Sequence, residues 1–125
     1  MPARFHPEMR EALLDEAFAI RFGVMKVDDL RDAIAHCHRA LGFYGLSFYG
    51  ENRLTPDEIA AFARKPHRKM RKTRVGKLRK AGFVLDRRGR FPHLALRFPV
   101  EPSDEELEKL IALFDESEPN PHPVE

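Results

Sequence analysis

FAIRFGVMKVDDLRDAIAHCHRALGFYGLSFY, residues 18–49, carries the reading that decides the fold. Its first ten residues alternate, and Phe18, Ile20, Phe22 and Val24 share one face of a strand. Asp28 is placed to cap a helix that ends near Leu41, with Gly42 as its stop. Leu30, Ala33, Ile34, Cys37 and Leu41 recur at helical spacing and form its inward stripe. Residues 43–49 form a second strand. Strand, helix and strand at this spacing predict a β-α-β unit with a parallel pair.

Toward the N-terminus, residues 1–6 read as a loose end, and Pro7 opens a short helix with Met9, Leu13 and Ala17 on one side. Toward the C-terminus, Thr55-Pro56-Asp57-Glu58 combines a cap, a first-turn proline and a capping-box glutamate. The helix it opens turns Ile59, Phe62 and Ala63 inward and stops at Pro66. A second short helix is expected over 73–81, capped by Thr73 and stopped by Gly82, with Val75, Leu78 and Ala81 inward. Phe83-Val84-Leu85 and Leu94 to Phe98 form a hairpin around Arg87-Arg88-Gly89-Arg90. Ser103-Asp104-Glu105-Glu106 opens a last amphipathic helix with Leu107, Leu110, Ile111 and Phe114 on one face. The fold class is therefore α+β: one small domain over 1–114, and an acidic, proline-rich tail over 115–125.

The chain has 125 residues, one domain's length, and 42% of them are hydrophobic, enough for a packed core. Its one cysteine, Cys37, excludes an internal disulfide and a cysteine-based zinc site. No apolar run is long enough to cross a membrane, and the first residues lack a signal-peptide core, so a cytoplasmic location is expected.

Charge carries more information. Residues 64–90 hold thirteen of the 22 Lys and Arg against one acid, Asp86, a net +12. Residues 101–125 hold nine acids and one Lys, a net −8. Such segregation points to a polyanion-facing block, with DNA or RNA as the partner. Phosphate binding rewards clustered bases through counterion release. The candidate contacts are Arg68, Lys69, Arg71, Lys72, Arg74, Lys77, Lys80, Arg87, Arg88 and Arg90, with Arg71, Arg74, Lys77 and Lys80 on one stripe. An ordinary solvated surface is the competing reading for any single one of them.

Residues 55–98 run helix, basic helix, strand, basic turn, strand. This order resembles a winged helix-turn-helix, and Val75 to Phe83 is similar to the stretch where a recognition helix passes into the first wing strand. The resemblance implies groove or backbone contacts from Arg71, Arg74, Lys77 and Lys80, and a wing tip at Arg87-Arg88-Gly89-Arg90.

Three other classes compete with a binding module. His67 and His93 lie in or beside the basic block and would supply the proton transfers of a small toxin-antitoxin-type ribonuclease. Arg21, Ser47, Tyr44 and Tyr49 could mimic two elements of a small ADP-ribosyltransferase toxin. Its third element, a late-strand glutamate, has no counterpart between Phe91 and Phe98. The basic block could instead dock an acidic protein partner or the acidic helix of a second copy, and the acidic tail could compete with nucleic acid for it. His36, Cys37 and His38 point in different directions on a helix, so no metal site is expected, nor is any cofactor.

Overall fold

The computed structural model describes residues 11–125. The helix expected from Pro7 lies partly outside them; residues 11–17 are irregular, and Leu13 and Ala17 are buried. The elements run β1 (Phe18–Phe22), α1 (Val27–Leu41), β2 (Tyr44–Tyr49), α2 (Pro56–Ala63), β3 (Lys69–Arg74), α3 (Val75–Lys80), β4 (Val84–Arg87), β5 (His93–Phe98), α4 (Asp104–Ile111) and β6 (Glu118–Pro119). The six strands form one sheet in the order β4-β5-β2-β1-β3-β6, and every pairing is antiparallel. The fold is α+β.

The strands around α1 are thus antiparallel neighbours, not the parallel pair of a β-α-β unit. They touch at a single register pair, Ile20↔Tyr49, and a Cβ at Gly50 would meet the Phe18 carbonyl. The full ladders of the centre run instead between β1 and β3 and between β2 and β5. β3 was not anticipated. KMRKTR has a weak apolar alternation, yet Met70 and Thr73 are buried. It replaces the start of the expected second helix, which contracts to Val75–Lys80. Arg71 and Arg74 therefore lie on a strand, and the basic stripe with Lys77 and Lys80 does not exist. Because an interior strand separates α2 from α3, the two do not form a helix-turn-helix.

Alternation along β1 divides two cores. Ala19 belongs to the larger core, built on Phe48, Leu94 and Leu96 with Leu30 and Ile34 of α1, Leu78 of α3 and Leu107 and Leu110 of α4. Ile20 and Phe22 belong to the smaller one, with Met70 and with Ile59 and Ala60 of α2. Three expected core positions are exposed: Val24, beyond the end of β1; Leu41, in the last turn of α1; and Phe62. Lys26, not Asp28, occupies the cap position of α1. The capping box of α2 and the hairpin of β4 and β5 form as read. Residues 115–125 are tied down: β6 pairs with β3, and Asn120 is buried with its amide donating to the carbonyls of Lys65 and His67. Among the described residues no helix is long and apolar enough to cross a membrane.

Candidate nucleic-acid interface

Beyond Ile20↔Tyr49, β1 and β2 part. The Arg21 side chain crosses the opening and donates from Nη1 to the Ser47 carbonyl at 2.8 Å. A cleft of about 450 Å³ lies there, between the C-terminal half of α1 and the strand residues Ser47, Tyr49 and His93. Lys65 and His67, from the connection of α2 to β3, complete its wall, with Arg88 from the hairpin turn. No aspartate or glutamate lines it.

Arg21 is the unusual member. Its Nε is buried and has no hydrogen-bond partner. None of the ion pairs among the described residues includes it. Burial lowers its pKa, partly offset by Tyr49 and Asp29. A cation held out of water without a carboxylate is costly unless something else supplies the charge. Phe48 gives only a ring 5.9 Å from the guanidinium carbon.

His93 is held from three sides. Its Nδ1 lies 2.6 Å from the Arg88 carbonyl, which can only accept, so Nδ1 carries the proton. Its Nε2 lies 3.0 Å from Ser47 Oγ. Tyr49 packs edge-on, ring centroids 5.3 Å apart. Lys65 Nζ sits over the same Tyr49 ring at 5.4 Å. His67 rests on Gly23, where a Cβ would come within 2.8 Å of its ring; that glycine also has φ +89°, so both space and backbone require it. The His67 pKa is lowered by burial first, then by Lys65 and Arg21.

A second depression shares Tyr49 and His93 with the cleft. Its lip carries Phe62 and Phe91, both exposed, edge to face at 5.2 Å, between Arg64 and Arg90. An aromatic pair and two arginines thus line a depression that adjoins the cationic cleft.

The structure brings together the two histidines, His67 and His93, and divides the basic block. Arg87 forms a half-buried pair with Glu51, donating from Nε at 2.8 Å and from Nη2 at 2.5 Å. Arg71 donates to the carbonyls of Phe114 and Asp115. Lys72 pairs with Glu118 at 2.8 Å. Arg74 donates to the Glu16 carbonyl and covers Phe18. These four hold the fold together. Of the ten candidate contacts, Arg68, Lys69, Lys77, Lys80, Arg88 and Arg90 are those whose side chains no carboxylate or carbonyl engages among the described residues, and Arg88 also lies over Phe43 at 4.8 Å. Lys77 and Lys80 line neither depression.

Arg21 and Ser47 do meet, as an ADP-ribosyltransferase reading would ask, but the cleft lacks the carboxylate that reaction needs. Among the described residues no cluster of His, Cys, Asp and Glu has metal-binding geometry. Lys65, Phe62 and Phe91 were missed as site residues. Phe62 has the helical spacing of a core residue, and nothing local distinguishes it from one. Arg21 did have a signal: a lone cation between Ile20 and Phe22, in a strand too apolar for an edge. No family model matches the chain, and no curated protein or solved structure matches it either.

Proposed function

We propose that the protein binds single-stranded nucleic acid along a path from the Arg21 cleft to the Phe62–Phe91 pair. The observation that carries this reading is Arg21: a partly buried guanidinium, in no ion pair among the described residues, lining a cleft without a carboxylate. A phosphate supplies the opposite charge that the cleft lacks, and a guanidinium suits it. Lys65 and Arg88 add charge beside it, as counterion release favours. Phe62 and Phe91 offer faces on which unpaired bases stack, between Arg64 and Arg90 on the backbone. A duplex keeps its bases stacked on one another and cannot use that pair.

The test is fluorescence polarisation with labelled single strands and duplexes of DNA and RNA. Phe62→Ala and Phe91→Ala are each expected to weaken single-strand binding by about 1–3 kcal/mol. Lys77→Ala and Lys80→Ala together are expected to change it by less than about threefold, since no phosphate on this path reaches them. Equal losses from both pairs would return the binding surface to the basic block as a whole.

A further inference from the structure

Ser47 and His93 form a pair that phosphate binding alone does not require. Ser47 stands exposed on β2 and points its hydroxyl at His93 Nε2, 3.0 Å away. The proton on Nδ1, donated to the Arg88 carbonyl at 2.6 Å, leaves Nε2 with its lone pair toward that hydroxyl. This is the arrangement of an activated nucleophile: hydroxyl, base, and a third group that orients the base. Both residues lie on the β2–β5 ladder, where Ser47 pairs with Ala95 and His93 with Tyr49, so the pair rests on paired strands. Arg21 donates from Nη1 to the backbone carbonyl of Ser47, which brings its guanidinium to the nucleophile's own residue. No carboxylate lines the cleft to repel a phosphodiester or to serve as a rival base.

We infer that Ser47 is a nucleophile toward the phosphodiester of a bound strand, with His93 as its base and Arg21 on the phosphoryl oxygens. The inference rests on the nucleic-acid reading above. In the first step the Ser47 Oγ–P bond forms, the Oγ proton passes to His93 Nε2, and one P–O ester bond breaks. The leaving alkoxide departs on the side of phosphorus away from Ser47 and takes its proton from a water there, the co-reactant. In the second step the hydroxide so formed attacks phosphorus from that far side; Ser47 leaves and recovers its proton from His93 Nε2. One product ends in a phosphate monoester and the other in a free hydroxyl. The ribose 2′-hydroxyl takes no part, so DNA and RNA are both substrates.

The experiment uses the full chain with end-labelled single-stranded DNA and RNA of one sequence, resolved on denaturing gels, with polarisation on the same oligonucleotides. Bis(p-nitrophenyl) phosphate is run in parallel as a diester that needs no strand-binding surface. The wild type is expected to cleave both polymers and the small diester. Ser47→Ala and His93→Ala should each lose at least about 100-fold in rate at saturating oligonucleotide, with any change in affinity read separately by polarisation. Acid-quenched intact mass should show a phosphoryl adduct that Ser47→Ala lacks. Full activity in Ser47→Ala, or cleavage of RNA alone with a 2′,3′-cyclic phosphate end, would overturn the inference, the latter assigning the chemistry to the substrate's own hydroxyl. Binding without cleavage of any diester would overturn it while sparing the binding proposal. Turnover of the small diester without oligonucleotide binding would overturn the binding proposal, and with it the assignment of a nucleic-acid strand as the substrate.

Discussion

Arg21 sits between two buried hydrophobic neighbours, and its burial costs stability that Asp29 and Tyr49 only partly offset. Arg21→Met therefore separates function from folding. Its thermal midpoint should stay within about 3 °C of wild type or rise, because the lost bond to the Ser47 carbonyl is offset by relief of a buried cation. Its affinity for single strands should fall at least about tenfold. A variant that melts far below wild type would make Arg21 a structural residue instead. His67 gives a pH dependence with a definite sign. Its pKa in the folded chain lies below 6.5, so the unfolded chain binds more protons as the pH falls past that value, and stability declines toward acid. A bound phosphate favours the protonated ring and takes up a proton, so single-strand affinity should rise as the pH falls through the same window. His67→Gln should flatten that rise in a polarisation series; an unchanged slope would remove His67 from the binding site.

Elements decide where these side chains stand. Thr55 accepts from the Glu58 amide and Glu58 accepts from the Thr55 amide, which fixes the start of the helix that carries Phe62. Thr55→Ala should cost about 1 kcal/mol, measured by denaturant unfolding. The Arg87–Glu51 pair ties the hairpin to the end of β2, and both side chains are mostly shielded, 21% and 15% exposed. Arg87→Met removes that pair and should cost about 1–3 kcal/mol, discounted from a fully buried pair for that exposure. Such devices were legible in the sequence because capping boxes, turns and alternating strands are local patterns. The pairing of β1 with β2 was not, because strand direction depends on which partners complete the sheet. β3 supplied the partner that the short lysine- and arginine-rich stretch concealed. The same limit governs the site. His67 and His93 could be picked out as chemistry-bearing residues, but their meeting with Arg21 and Ser47 follows from sheet order, which no local spacing encodes.

At the scale of the whole molecule, the opposed charge blocks have a structural account. Part of the +12 segment meets part of the −8 segment within the fold: Lys72 pairs with Glu118, and Arg71 holds the carbonyls where α4 runs out. Glu118–Pro119 of the tail pair with β3 and Asn120 anchors the segment, so Asn120→Ala, which strips the buried amide from the Lys65 and His67 carbonyls, should cost about 1–3 kcal/mol in thermal or denaturant unfolding. It should also loosen Lys65 and His67 at the wall of the cleft. What is left of the positive charge faces solvent near the cleft and along α3, and binding is assigned to the first of these. The measurement that tests it most directly is polarisation of a labelled single strand over a salt series with wild type and Arg21→Gln. The expected result is micromolar or tighter binding with a steep log-log slope in the wild type. In the variant one phosphate of the strand is no longer neutralised, so its slope should be shallower by about 0.7. Absence of binding at low salt, or identical curves for the two proteins, would contradict the assignment of Arg21 to a phosphate.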